Sequence, residues 1–261
     1  MHGAFNPIEE FYNCWKCGGT ADIAGVLQRI LRIGFPDVRA LLDQYSSRMS
    51  VLRKLNRKVT GVRAVDLPGE PMEGMYRRYL RRRGFRPADI AERYGVLGGS
   101  VVGTWRYRLI IPIVFGGRVV SFQGRDITGR SDIKYKTLEV EKSVVDAKSV
   151  LYGLDDVPGD HAAVVEGVMD AWRLGPGSVA TFGVGVTDAQ MRLLARRFHR
   201  VSFVFDPEPE AQRQAERYAA GLAALGLTVN VIDTELNHDP GSMSAAEVRD
   251  LRRELGFPPI Y

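Results

Sequence analysis

The chain has 261 residues, of which 36 are Lys or Arg and 31 are Asp or Glu, and its formal net charge is +5. This length suits one or two domains, and a hydrophobic content of 45% excludes a wholly disordered chain. The sequence has no run of about 18 apolar residues, which argues against a membrane-spanning helix. It also lacks the basic and apolar start of a signal peptide. The basic balance is compatible with a polyanionic partner but does not identify one.

The N-terminal segment, residues 1–50, is predicted to hold a cysteine pair followed by helices. Cys14 and Cys17 are separated by two residues, a spacing typical of a metal site or of a redox pair in a reducing compartment. Apolar residues at three-to-four spacing then predict the helices. Residues 51–74 mix charges with prolines and glycines, and we interpret them as an exposed linker.

Residues 75–157 are predicted to form a mixed α+β subdomain that begins with two helices. Six arginines lie within residues 77–86 with no acidic residue among them. Such a stripe can neutralise phosphates, although an exposed basic helix is the alternative. The apolar runs 109–115 and 118–122 are separated by two glycines and predict a hairpin. Within it, Pro112 favours an edge strand or a bulge.

Residues 158–243 alternate between strand-like and helical segments in the order βαβαβαβ. The runs 162–165 and 201–205 are apolar and rich in β-branched or aromatic residues, which favours buried strands. This alternation predicts a parallel sheet covered by helices. The remaining residues, 244–261, are predicted to form a C-terminal helix.

Acidic residues follow three of these predicted strands. Glu166 comes directly after the first strand, Asp206 after the third and Asp233 after the last. Ligands of open parallel sheets bind beyond the carboxyl ends of the strands, and clustered carboxylates there need a cation or a proton. Their hard oxygen atoms favour Mg²⁺ or Mn²⁺. The alternative is that these acids cap the helices that follow.

Several motifs resemble, in the same order, those of the bacterial DnaG-type primases. Residues 164–170 resemble the glutamate motif of the TOPRIM domain, 205–208 its second acidic motif, and 180–187 the glycine-rich loop between them. The upstream segments that resemble the opening of the primase core, its basic subdomain and the junction into TOPRIM are 79–85, 91–96, 108–113, 124–125, 134–135 and 151–154. The arrangement is most similar to that of phage or mobile-element primases.

The resemblance implies an α/β fold and a set of site residues. The fold would be a TOPRIM domain, with a parallel sheet flanked by helices, preceded by a mixed α+β basic subdomain and a truncated zinc-ribbon-like, helical N-terminus. The residues implied as catalytic are Glu166, Asp206 and Glu208. Those implied to bind Mg²⁺ or Mn²⁺ are Glu166, Asp170, Asp206, Glu208 and Asp239. Those implied to bind the nucleotide or the template are Arg108, Arg125, Lys134 and Lys148.

The cysteine pair resembles the second half of the primase zinc ribbon. A structural zinc site needs four ligands, and Cys14 and Cys17 are only two. We therefore interpret them as a half-site, and zinc binding stays open.

The implied function is DNA-templated synthesis of short RNA primers. The partners would be single-stranded DNA, nucleoside triphosphates and a replicative helicase, with no membrane, in the cytoplasm of a bacterial host cell. The alternatives are a TOPRIM-type metal-dependent nuclease and a catalytically weakened primase relative that binds single-stranded DNA. The second alternative is motivated by two departures from the family pattern, Glu208 and Gly241, each of which stands where the family has an aspartate.

Overall fold

The structure of the chain is a computed structural model that describes residues 3–6, 11–14, 20–39, 65–183, 185–233 and 239–260. The chain divides into two compact units, Met1–Gly61 and Val62–Tyr261. Because each unit has its own internal contacts, each is described by itself.

The first unit contains a small antiparallel sheet followed by a helix. Its elements are β1 (Gly3–Asn6), β2 (Phe11–Cys14), β3 (Thr20–Asp22) and α1 (Ile23–Leu31). The strand order is β1-β2-β3. Cys14 is the last residue of β2, whereas its side chain and Cys17 lie outside the described residues. The zinc half-site thus stays a prediction.

The second unit begins with a five-stranded antiparallel sheet and two helices. The helices are α2 (Gly74–Arg82) and α3 (Pro87–Tyr94). The strands are β4 (Gly69–Glu70), β5 (Leu97–Gly99), β6 (Arg108–Phe115), β7 (Arg118–Asp126) and β8 (Tyr135–Thr137). They follow the order β4-β5-β6-β7-β8, so β4 adds a strand from within the segment interpreted as a linker.

The predicted hairpin is confirmed as β6 and β7. Its two-residue turn, Gly116-Gly117, has positive φ angles of 62° and 73°, which suit glycine. Of the two alternatives predicted for Pro112, the edge strand is wrong, because β6 lies between β5 and β7, whereas the bulge is confirmed by the register shift between Ile113 and Val114. Since β5 pairs only with Leu109 and Ile110, the missing N–H of Pro112 breaks no bond on that side.

A four-stranded parallel sheet, flanked by helices, follows in the same unit. The strands are β9 (His161–Val165), β10 (Ser178–Ala180), β11 (Arg200–Phe203) and β12 (Thr228–Val231), in the order β10-β9-β11-β12. All three pairings are parallel. The four C-terminal residues of β9 are fully buried, as expected for a strand covered on both faces. The predicted parallel sheet is confirmed.

The helices around this sheet are short. They are α4 (Val168–Leu174), α5 (Asp188–Arg197), α6 (Pro209–Ala224) and α7 (Ala245–Glu254). Within the described ranges, no helix combines the length and the apolar character needed to span a bilayer.

An aromatic cluster joins the segment of α2 and α3 to α4. Trp172 of α4 packs against Phe85 and Tyr94, with ring centroids 5.9 and 5.7 Å apart. Its indole N–H donates a 2.8 Å hydrogen bond to the hydroxyl of Tyr152. Aromatic pairs stabilise beyond their buried area, so this cluster fixes α2 and α3 against the parallel sheet.

Candidate active site

Two neighbouring strands bring Glu166 and Asp206 together. Glu166 directly follows β9, and Asp206 follows β11 after two buried residues. The strands pair in parallel, with Phe203 opposite Val164, so their carboxyl ends lie at the same edge. The backbone N–H of Asp206 donates to Oε1 of Glu166 over 3.4 Å.

Asp170 approaches the same edge from the first turn of α4. Its Oδ2 accepts a 2.8 Å hydrogen bond from the backbone N–H of Gly167. A Cβ at Gly241 would lie 2.5 Å from Oδ1 of Asp170, so only glycine fits there while Asp170 keeps this position. The departure from the family pattern at Gly241 is therefore coupled to the placement of Asp170.

These acids line a cavity of about 160 Å³ that also has basic walls. Its acidic residues are Glu166, Asp170, Asp206 and Asp239. Its basic residues are Arg83, Arg125 and Lys134. The acids come from the parallel sheet and the bases from α2 and the antiparallel sheet, so the cavity lies where the two sheets face each other.

The acidic side chains raise one another's pKa. Burial, and after it the negative charges of Glu166 and Asp170, together raise the pKa of Asp206 to about 7. Burial also raises the pKa of Asp170 to about 6, against the lowering effect of the Gly167 N–H. The pKa of Glu166 is raised mainly by burial. Bringing like charges together in a desolvated site disfavours ionisation, so the carboxylates need a positive charge.

One carboxylate oxygen of the cavity lacks a partner that could compensate its negative charge. Oδ1 of Asp206 is buried and has no hydrogen-bond partner among the described residues. A buried polar atom without a partner is costly in a folded protein and marks a place where a cation or a ligand fits. Within the described residues, no group of three His, Cys, Asp or Glu side chains is already arranged as a metal site. The carboxylates would therefore have to move closer together around an ion.

Arg125 is held rigidly in the opposite wall. Its Nε donates a 3.1 Å hydrogen bond to the hydroxyl of Tyr79, and its guanidinium lies 4.6 Å from the ring centroid of Tyr135. Burial raises the pKa of Tyr135 to about 12, so that ring stays neutral and its hydroxyl stays protonated. A stacked guanidinium is well suited to bind phosphate.

Comparisons with known proteins show that the chain is similar to DNA primases. The chain is 27% identical to a DNA primase of Legionella pneumophila in an alignment covering 97% of this chain and 53% of the relative. It is 31% identical to a DNA primase of Synechococcus elongatus over 67% of this chain and 28% of the relative. This chain is a relative of the DnaG-type DNA primases. It spans about half of the Legionella primase and less of the other. No protein-family model matches it.

The fold is that of the primase catalytic core. A solved structure of the DnaG primase catalytic domain bound to single-stranded DNA matches with a TM-score of 0.59 and 21% identity over 72% of each chain. A DNA primase domain from Pseudomonas aeruginosa matches with a TM-score of 0.58 and 24% identity over 71% of each chain. At these identities the likeness establishes the fold, which confirms the predicted α/β architecture.

Of the nine acidic and basic residues that the primase resemblance assigns, six line the cavity and three do not. Glu208 is an exposed residue at the N-terminus of α6, where its charge contributes to the raised pKa of Asp206 and Glu166. Arg108 is buried, and its guanidinium donates to the carbonyl oxygens of Gly124 and Ile133. This bonding gives Arg108 a structural role in the sheet.

Lys148 is the third residue outside the cavity. Its Nζ donates a 3.1 Å hydrogen bond to the carbonyl oxygen of Thr181, which begins the glycine-rich loop. Burial lowers the pKa of Lys148. The next residue, Phe182, lines the cavity with a φ of +65°, a region that non-glycine residues rarely adopt. Lys148 therefore supports the loop that forms one wall of the cavity.

Arg83 is the site residue that sequence reasoning did not single out. It follows α2 directly and lines the cavity, and its Nε is buried without a hydrogen-bond partner among the described residues. The signal in the sequence was the arginine-rich stretch 77–86, which did not show which arginine faces inward. That choice depends on the helix phase, since Tyr76 and Leu80 are the buried residues of α2.

Proposed function

We propose that the chain is a DNA primase core that makes short RNA primers on single-stranded DNA during replication, in the bacterial cytoplasm. The observation that carries this proposal is the facing of four carboxylates and three basic side chains across one cavity. A nucleotidyl-transfer site needs both, because it must hold a triphosphate and accept a proton at the same place. The primases of similar sequence and the primase catalytic domain bound to single-stranded DNA support it.

The residues present fit a divalent cation, which we propose to be Mg²⁺ or Mn²⁺. The unpartnered Oδ1 of Asp206 and the raised pKa values of Asp206 and Asp170 are the evidence for this fit. Glu166, Asp170, Asp206 and Asp239 would hold the cation, with Glu208 adding negative charge. When bound, a divalent cation stabilises the charge that develops on the transferring phosphate.

The basic and acidic side chains of the cavity would have different roles in the reaction. Arg83, Arg125 and Lys134 would bind the phosphates of the incoming nucleotide and hold its α-phosphorus toward the acids. The 3′-hydroxyl of the preceding nucleotide would attack that phosphorus, and the bond to pyrophosphate would break. Glu166 would accept the hydroxyl proton, since it follows β9 directly and its carboxylate lines the cavity beside Asp206.

The test is primer synthesis by the parent and by Glu166→Gln on single-stranded DNA, with four nucleoside triphosphates and Mg²⁺ or Mn²⁺. Short RNA products are expected from the parent, with a loss of about 10³-fold in the variant, because glutamine cannot accept the proton. Glu216→Gln, a change of an exposed residue on α6, serves as the control and should leave synthesis unchanged.

Two other results of this assay would contradict the proposed primase activity. Strand cleavage without synthesis would identify the chain as a TOPRIM-type nuclease. Absence of both reactions, together with salt-sensitive binding of single-stranded DNA, would identify a primase relative that has lost turnover.

A further inference from the structure

Arg173 lies in the last turn of α4, and its side chain is half-buried. Its guanidinium donates hydrogen bonds to the backbone of two segments that are far apart along the chain. Nη1 and Nη2 bond to the carbonyl oxygens of Gly84 and Arg83, just after α2. Nε bonds to the carbonyl oxygen of Gly241 over 3.2 Å, beyond the last strand of the parallel sheet. A single side chain of α4 therefore joins these two segments.

Each of the joined segments carries a side chain that lines the active cavity. In the first segment this side chain belongs to Arg83, whose carbonyl oxygen accepts from Arg173. In the second segment it belongs to Asp239, which lies two residues before Gly241. Arg173 itself is not among the described residues that line the cavity. It therefore holds the backbone that carries one basic and one acidic residue of the cavity.

Two residues of α4 hold Gly241 between them. Its carbonyl oxygen accepts from Arg173, and its N–H lies close enough to the carboxylate of Asp170 to lower the pKa of that group. Asp170 and Arg173 are three residues apart, a spacing that places both on one side of a helix. Asp239 belongs to the same turn, since its carbonyl oxygen accepts from the N–H of Ser242 over 3.0 Å. The position of Asp239 consequently depends on the contacts between α4 and this turn.

The side chain of Arg83 depends on its backbone for its position. Its Nε is buried without a hydrogen-bond partner among the described residues, so no bond of that atom holds the side chain in place. The next residue, Gly84, has a φ of +74°, and a Cβ there would lie 3.2 Å from Nη2 of Arg173. The same guanidinium lies 4.3 Å from the ring centroid of Phe85. These contacts of Arg173 therefore fix the direction in which Arg83 leaves α2.

We propose that Arg173 is a positioning residue that sets the separation of Arg83 and Asp239 in the cavity. Residues behind a site orient the groups that touch its ligand, and their loss typically weakens binding by about 10–100-fold. Arg83 would contact the phosphates of the nucleotide and Asp239 the divalent cation, so Arg173 would affect the binding of both. The identity of these two ligands rests on the proposed function, whereas the link between the two segments does not.

Amide hydrogen exchange, measured by mass spectrometry without any ligand, tests the link itself. The variant is Arg173→Met, which keeps an apolar stem but has no hydrogen-bond donor. We expect exchange to become at least about tenfold faster in two segments, residues 80–86 and 239–243, because both lose a hydrogen bond to α4. Exchange at the parent's rate in either segment would overturn the proposal.

Binding measurements test the positioning role. The dissociation constant of ATP at saturating Mg²⁺ is measured by calorimetry, and that of Mn²⁺ alone by electron paramagnetic resonance. Both constants should rise about tenfold in Arg173→Met, and Arg173→Lys, which keeps the charge, should recover part of each loss. In the double variant with Arg83→Gln, ATP should bind at most about twofold more weakly than in Arg83→Gln alone, since both changes act through one side chain. Losses that multiply, or unchanged constants, would overturn the proposal.

Arg197→Met is the matched control. Arg197 of α5 also donates to two carbonyl oxygens, those of Val157 and Gly159, and its guanidinium lies 5.0 Å from the ring centroid of Phe198. These contacts precede β9, at the amino end of the parallel sheet. This variant should therefore exchange faster around residues 157–160 and keep the parent's dissociation constants for ATP and Mn²⁺. An equal loss of binding in both variants would overturn the proposal.

If Arg173→Met does not fold, as judged by circular dichroism, Arg173→Lys takes its place, because lysine cannot donate in all three directions of the guanidinium. A rise of about threefold in each dissociation constant is then expected, and the parent's constants would overturn the proposal. A parent that binds neither ATP nor Mn²⁺ would contradict the proposed function, while the exchange experiment would still decide whether Arg173 joins the two segments.

Discussion

The two ends of the parallel sheet differ in whether their charged side chains have hydrogen-bond partners. At the amino end, Arg252 is only 2% exposed, and it donates hydrogen bonds to the carbonyl oxygens of Leu174, Pro176 and Pro258. At the carboxyl end, a buried oxygen of Asp206 has no hydrogen-bond partner in the part of the chain that the structure describes, and the pKa of Asp206 is raised to about 7. Arg252 is buried and satisfied within the fold, whereas Asp206 is half-buried and its buried Oδ1 is not satisfied by any described residue.

This difference separates a structural charge from a functional one. A buried charge whose hydrogen bonds are complete stabilises the segments that it joins, and its removal leaves those segments unpaired. A buried charge that lacks a partner costs stability and is compensated only when a ligand arrives. The comparison predicts that changes at the two ends affect different properties, namely stability at the amino end and activity at the carboxyl end.

The largest effect is expected for Asp206→Asn. Primer synthesis should fall by about 10²–10³-fold, because the amide cannot carry the negative charge that the cation needs. The free energy of unfolding should rise by about 1 kcal/mol, after allowance for solvent screening, because the variant removes like-charge repulsion. Synthesis is measured with the assay described above, and stability by thermal unfolding.

Asp250→Asn is the matched control for this change. Asp250 is exposed and pairs with Arg253 on α7. Removing its charge should therefore change primer synthesis and the free energy of unfolding only slightly. A variant at Asp206 that keeps full synthesis, or that unfolds more easily than the parent, would contradict the division between the two ends.

The second effect is expected at the amino end, for Arg252→Met. Methionine replaces the aliphatic stem but leaves the carbonyl oxygens of Leu174, Pro176 and Pro258 without their donor. The free energy of unfolding should fall by about 3 kcal/mol, whereas synthesis per folded molecule should stay the same. Arg253→Gln, an exposed neighbour, should cost less than about 0.5 kcal/mol. A loss of turnover in folded Arg252→Met would place part of the active site at the amino end.

The smallest effect concerns pH. The pKa of Asp206 is raised in the folded state from 3.8 to about 7, so the folded state holds more protons between these values. The contribution of Asp206 to stability therefore falls as the pH rises from about 4 through 7. Between pH 5 and pH 8, the free energy of unfolding of the parent should fall by about 1 kcal/mol relative to that of Asp206→Asn. The melting temperature of the parent should therefore drop by a few degrees relative to that of the variant.

Mg²⁺ should reverse this loss at pH 8 in the parent and have less effect in Asp206→Asn, since ligands that bind only the folded state raise its stability. Equal pH profiles for the two proteins in the absence of Mg²⁺ would show that Asp206 is not destabilised by its neighbours.

Local patterns in the sequence predicted much of the fold. The alternation of residues 158–243 identified the parallel sheet, and the two glycines between 109–115 and 118–122 identified the hairpin, because both signals act over a few residues. Pro112 predicted an edge strand or a bulge, and local patterns could not choose between them, because the number of residues with which β5 pairs depends on the length of that neighbouring strand. The inward position of Arg83 and the buried bonding of Arg108 were likewise invisible to local patterns.

The sequence by itself determined that Glu166 and Asp206 lie at one edge, because parallel strands place their carboxyl ends together whatever surrounds them. Arg125 and Lys134 were implied by the family resemblance, but only the tertiary structure decided that Arg83 also faces these acids. Arg83 lies far from the acids along the chain, and its segment is held against α4 by the contacts of Trp172 with Phe85 and Tyr94. Such contacts depend on shape and burial across the whole unit, and no short stretch of sequence contains them.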